Sequence, residues 1–321
     1  MIEYLALAAG LAFLIKGADF LVEGASSLAK KLGVPSLIIG LTIVAFGTSM
    51  PELVVNVIAA LNGTADIAFG NIIGSNLANI LLILGISALI FPLAVKRSTV
   101  WKEIPFSFLA VVALIVFTSI SFWDDLQVNA LLRTEGIILI LFFIIFLYYV
   151  FGMIKQNKPE TENGNDKIKD RSGIVIFLMI AAGLAGLYFG GVWTVDGAVT
   201  IARSLGLSEF LISATIIAVG TSLPELITSV VAVRKRNVDL AVGNVVGSNI
   251  FNIFWILGLT AIIRPLPLPD MVNLDLIILL GTTFLLFLFM FIGKRHTLQR
   301  WQGGVFVALY VGYLVLIITR G

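Results

Sequence analysis

The chain has 321 residues, of which 59% are hydrophobic and 12% charged, with a formal net charge of +2 and no cysteine. Soluble domains carry about 25% charged residues, so a water-soluble domain is excluded, as is any thiol, disulfide or cysteine-metal chemistry. Apolar runs of roughly 20 residues, the length a spanning helix needs, recur from end to end.

Ten spans are expected, near residues 2–23, 36–60, 66–91, 104–122, 132–153, 173–195, 209–233, 239–264, 274–293 and 301–319. The first lacks the pattern of a cleavable leader and reads as a retained helix. The second carries Gly47-Thr48-Ser49-Met50-Pro51-Glu52, and the third carries Gly70-Asn71-Ile72-Ile73-Gly74-Ser75-Asn76 followed by Asn79. Five spans fill residues 1–153. Residues 154–172, rich in Lys, Glu, Asp and Asn, read as a solvated linker. Residues 173–321 then repeat the first half. Gly220-Thr221-Ser222-Leu223-Pro224-Glu225 and Gly243-Asn244-Val245-Val246-Gly247-Ser248-Asn249 both return at an offset of 173 residues, with Asn252 in the place of Asn79.

Five is an odd number of crossings, so the second half enters the bilayer upside down. The expected fold is an all-α polytopic membrane protein, ten transmembrane helices in two inverted five-helix repeats, with a site near the midplane between them. Lys and Arg alternate accordingly. The linker and the loops on its side hold 16 of them and the opposite segments 4. This bias places both termini outside and the linker in the cytoplasm.

Each motif places a carboxylate, hydroxyls and a proline inside an apolar span. Pro51 has no N–H and crowds the carbonyl of Gly47, so backbone oxygens from Ala45 to Thr48 are released from the helix and need another partner. Glu52 lies one turn beyond Thr48, and Ser75 and Asn79 share a face of the next helix. Pro224, Gly220, Thr221, Glu225, Ser248 and Asn252 repeat the arrangement. Two carboxylates, hydroxyls, amide oxygens and freed carbonyls are all hard donors. They suit Ca2+, which takes about 6–8 oxygens, and two carboxylates neutralise one divalent ion. An ionised acid at mid-membrane costs about 2.5–3.5 kcal/mol, which a held cation offsets.

Blander readings exist for single residues. One such motif alone could be a kinked helix with a satisfied acid, and Gly, Ser and Thr in membrane helices mostly serve packing; the duplication favours ligands. Asn71 and Asn244 fit either ion contact or the holding of backbone carbonyls. Lys16 and Asp19 are expected to pair, with no role in transport. A channel would place its filter on an axis shared by subunits. No zinc-protease motif or nucleotide-binding glycine loop supports an enzyme.

At these motifs the chain resembles the calcium/cation antiporter superfamily, specifically its sodium/calcium exchanger branch, over essentially its full length. The resemblance implies exchange of several Na+ for one Ca2+ by alternating access. It also implies a central calcium site of Glu52, Glu225 and the carbonyls of Thr48 and Thr221. Flanking sodium sites would use the carbonyls of Ala45 and Ala218 and the hydroxyls of Ser49, Ser222, Ser75 and Ser248, with Asn79 and Asn252 completing the cluster. The first and sixth helices would slide over the rest, with Gly10, Gly17, Gly183, Gly186 and Gly190 smoothing the contact. Some relatives, the potassium-dependent ones among them, carry Asp where this chain has Asn252, so K+-independent exchange is expected. The alternative is an H+/Ca2+ antiporter; those relatives typically carry a glutamate in the block after the Gly-Asn pair, which here reads Ile72-Ile73-Gly74-Ser75 and Val245-Val246-Gly247-Ser248. The other expectations are a monomer in the plasma membrane, with no cofactor, no nucleic-acid partner and no regulatory domain in the linker.

Overall fold

The computed structural model describes residues 2–118, 129–156, 171–206, 218–269 and 272–320. In the first half, α1 is Ile2–Leu32. Helices α2 (Ser36–Thr48) and α3 (Met50–Asn62) meet at 45°, followed by α4 (Ala65–Ile90), α5 (Thr99–Thr118) and α6 (Arg133–Gln156). The second half has α7 (Gly173–Ser204), the short α8 (Ala218–Gly220) and α9 (Leu223–Arg234). Then come α10 (Val238–Ile263), α11 (Val272–Phe289) and α12 (Arg300–Arg320).

Eight of these helices are each long and apolar enough to cross a membrane, and the bent pair α2–α3 makes a ninth span. The expected span at 209–233 begins outside the described residues and continues as α8 and α9. Its break at Ser222 (φ −86°, ψ 3°) matches the break at Ser49 (φ −84°, ψ 8°). In both halves proline occupies the first turn after the break, where its missing N–H costs nothing. The chain is thus an all-α membrane protein with nine spans among the described residues, in keeping with ten spans in two inverted repeats. Most of the linker, residues 157–170, lies outside the described residues.

Helices α1 and α7 have 31 and 32 residues, longer than their apolar runs suggested. Helix α1 continues past Glu23 because that carboxylate is paired: its Oε2 lies 3.0 Å from Arg171 and its Oε1 3.2 Å from Lys235. Lys235 also reaches Asp19 at 3.0 Å, so the acid expected to pair with Lys16 instead ties α1 to the end of α9. The two long helices touch backbone to backbone. A Cβ on Gly183 would stand 2.6 Å from the Leu21 nitrogen, and one on Gly17 2.8 Å from the Leu187 nitrogen.

The other helices interlock across the halves. Helix α2 lies against α10 so closely that a Cβ on Gly243 would stand 2.7 Å from the Leu37 oxygen. A Cβ on Gly70 or Gly74, the equivalents of Gly243 and Gly247, would meet nothing within 4 Å among the described residues. Two pairs of two-residue strands also join the halves. Strand β1 (Leu93–Ala94) pairs antiparallel with β4 (Thr297–Leu298), and β2 (Ala130–Leu131) with β3 (Leu266–Pro267). Leu93 and Leu266 are repeat equivalents, so each half lends a loop strand to the other.

Candidate cation site

The two breaks face each other in the interior. Ala45, Thr48, Ser49, Glu52, Ser75 and Asn79 are buried, as are Ser222, Glu225, Ser248 and Asn252. Thr221 is half-buried, and Ala218 opens the short helix α8. Glu52 and Glu225 are each only 1% exposed, and no third acid, histidine or cysteine joins them in a cluster among the described residues.

Local backbone makes the first part of the site. Contrary to the expected release, the Ala45 oxygen keeps its helical bond, from Ser49 N–H at 3.0 Å, and the ladder resumes with Leu53 N–H to the Ser49 oxygen at 3.1 Å. Pro51 cannot donate to Gly47. In the second half Ser222 N–H bonds to the Val219 oxygen at 3.1 Å and Leu226 N–H to the Ser222 oxygen at 3.0 Å. Both steps pass over the threonine carbonyl.

Side chains then cross between the halves. Ser49 donates to Glu225 Oε1 at 3.0 Å, so the serine of one motif serves the acid of the other. Ser248, from its own half, reaches the same oxygen at 3.5 Å. Ser75 donates to Glu52 Oε1 at 3.1 Å, and its hydroxyl lies 3.0 Å from that of Ser222. Each glutamate therefore has Oε1 capped by hydroxyls while Oε2 takes no hydrogen bond among the described residues. The Oδ1 atoms of Asn79 and Asn252 are likewise buried without a donor. The two asparagines sit in π-helical turns, Ala78–Leu84 and Phe251–Leu257, a wide coil frequent at functional sites.

These four bare oxygens, two from each half, leave the cluster with buried acceptors that lack a donor among the described residues. A buried acceptor without a partner costs about 1–3 kcal/mol, more if charged. An arrangement that leaves four such oxygens, two of them on carboxylates, is matched by a hard cation. The site's residue types fit: every donor is oxygen and none is a soft ligand.

Asn71 and Asn244, left open by the sequence, hold backbone. Asn71 donates to the Glu52 oxygen at 3.2 Å and accepts from Thr221 Oγ1 at 3.3 Å. Asn244 donates to the Glu225 oxygen at 3.5 Å and accepts from Thr48 Oγ1 at 3.0 Å. Each thus ties the glutamate helix of its own half to the threonine of the other. Asn244→Leu removes these buried hydrogen bonds and the one Asn244 donates to Ser229 Oγ at 3.1 Å. It is expected to cost about 1–3 kcal/mol, read as a fall in the melting temperature of purified protein without ions. Asn76 and Asn249 also join the cluster, through contacts with Asn252 and Asn79. They were visible in the sequence only as motif letters, because nothing in their spacing says which partner they meet.

Comparison with known proteins points to one family. The family model described as sodium/calcium exchanger protein matches residues 2–152 and 175–319. The sodium/calcium exchanger MaX1 of Methanosarcina acetivorans is 32% identical, with 98% of each chain covered. The inner membrane protein YrbG of Escherichia coli is 37% identical over 81% of this chain and 79% of its own. Among solved structures, the sodium-calcium exchanger NCX_Mj soaked with 2.5 mM Na+ and 0.1 mM Ca2+ has a TM-score of 0.81 at 32% identity, covering 98% of both chains.

Proposed function

The chain belongs to the sodium/calcium exchanger protein family, and on that premise we propose that it carries several Na+ one way and one Ca2+ the other, by alternating access and without K+. The observation that carries the reading is the set of four buried oxygens, on Glu52, Glu225, Asn79 and Asn252, that have no hydrogen-bond partner among the described residues. Two of them belong to carboxylates, which balance one divalent charge.

In this reading Ca2+ sits between Glu52 and Glu225 and takes the carbonyls of Thr48 and Thr221. Na+ ions occupy flanking positions that use the carbonyls of Ala45 and Ala218 and the hydroxyls of Ser49, Ser75, Ser222 and Ser248. Asn79 and Asn252 supply amide oxygens. Na+ and Ca2+ then compete for shared oxygens, so loading one expels the other. An empty site with two bare carboxylates is costly inside a membrane, so the gate switches only with cations aboard. That requirement is what couples the two fluxes. All of these groups come from one chain, so a monomer suffices. We place it in the plasma membrane; the Lys and Arg bias supports termini outside and the linker in the cytoplasm.

The test is 45Ca2+ uptake into proteoliposomes with Na+, K+ and H+ gradients imposed separately. Uptake should follow the Na+ gradient alone. Uptake that needs K+, or that follows a pH gradient without Na+, would overturn the respective part of the reading. Asn252→Asp adds a carboxylate to a site that has two. The variant is expected to retain transport and to gain sensitivity to pH or K+, measured in the same assay. Unchanged behaviour would count against Asn252 as a ligand.

A further inference from the structure

An asparagine ligand carries a risk that a carboxylate does not. Its oxygen and its NH2 group are nearly the same shape, and a half-turn of the amide replaces an acceptor with a donor. An N–H aimed at a cation repels it. Something must therefore hold Asn79 and Asn252 with Oδ1 inward.

Two residues outside the expected ligand set do so. Asn252 Nδ2 donates to Asn76 Oδ1 at 2.9 Å, and Asn79 Nδ2 donates to Asn249 Oδ1 at 2.9 Å. Asn76 in turn donates to the backbone oxygen of Asn249 at 3.4 Å, which settles which end of its own amide faces Asn252. All four asparagines are at most 2% exposed. Each contact crosses between the halves, from α4 to α10 or the reverse. In each pair the NH2 group is taken and the remaining oxygen, Asn79 Oδ1 or Asn252 Oδ1, is the bare one.

We propose that Asn76 and Asn249 are positioning residues that fix the amide orientation of Asn252 and Asn79, so that both present oxygen to the cation. This rests on the reading of Asn79 and Asn252 as ligands. The competing account is that the four amides merely fasten α4 to α10.

A double-mutant cycle separates the two. Asn252→Asp presents oxygen in either rotation, so it needs no orienting partner. In the otherwise native protein, Asn76→Ala should raise the KM for Ca2+ about tenfold, the scale of one hydrogen bond to a charged group. The maximal rate should stay within about twofold. In the Asn252→Asp background, the same Asn76→Ala change should shift KM by less than about twofold. Asn249→Ala against Asn79→Asp is the mirror cycle and should behave alike. Uptake of 45Ca2+ in proteoliposomes without K+, at one alkaline pH, reads all of these. If Asn76→Ala does not fold, Asn76→Ser, too short to span the contact, replaces it. An equal rise of KM in both backgrounds overturns the proposal. So does a lower melting temperature with KM unchanged, which is the signature of fastening alone. Native protein that moves no Ca2+ at all would instead sink the exchange reading itself.

Discussion

Glu52→Gln and Glu225→Gln are each expected to abolish Na+-driven Ca2+ uptake. Gln keeps the shape of the side chain and an acceptor for the serine hydroxyl that caps Oε1. It removes the charge and offers an N–H in place of the bare Oε2. Removing a carboxylate that pairs with a buried bound cation costs about 2–5 kcal/mol of binding, a loss of roughly one to four orders of magnitude in affinity. Stability should move the other way. Two acids that are each 1% exposed are costly to keep ionised in the interior, so the Gln variants should melt at or above the native temperature when no ions are added. Native protein should gain stability on addition of Ca2+, because a ligand that binds only the folded state stabilises it, and the Gln variants should gain none. Uptake that survives both substitutions together would remove the physical basis of the site.

The second large effect is expected at the α1–α7 contact. Gly183 has Leu21 N at 2.6 Å and the Gly17 oxygen at 2.9 Å from where a Cβ would stand. Both are backbone atoms, so no side chain can rotate away and the two helices must separate. Overpacking of this kind costs about 1–3 kcal/mol. Gly183→Ala and Gly183→Val should lower transport in that order, by about tenfold or more for Val. The ion-induced rise in melting temperature should persist, because the proposed site residues lie in α2, α3, α4, α8, α9 and α10 and at the breaks α2–α3 and α8–α9, outside α1 and α7. If the pair slides as one body over the remaining helices, the loss falls on the maximal rate and not on KM. Full activity in Gly183→Val would show that the close approach is dispensable.

The long helices and the strands mark two limits of the sequence. Glu23, Ser26 and Ser27 look like the edge of a span, yet α1 runs on to Leu32. The reason is tertiary: Arg171 and Lys235 meet Glu23 from elements far along the chain. The strand pairs β1–β4 and β2–β3 hold two residues per strand, too few for any alternation to be visible.

The sequence by itself determined the class, the span count and the donor chemistry. A repeat at an offset of 173 residues gives each half the same oxygen-bearing groups, and hydropathy with the alternation of Lys and Arg fixes how often the chain crosses. Only the tertiary structure decided who meets whom. Ser49 serves Glu225 and not the acid of its own motif, and Asn76 meets Asn252 across the interface. Spacing along a helix fixes which face a side chain occupies, but a duplicated motif offers two chemically equal partners for every donor. The choice between them is made by the packing of α4 and α10 against the opposite half, a geometry that local periodicity does not encode.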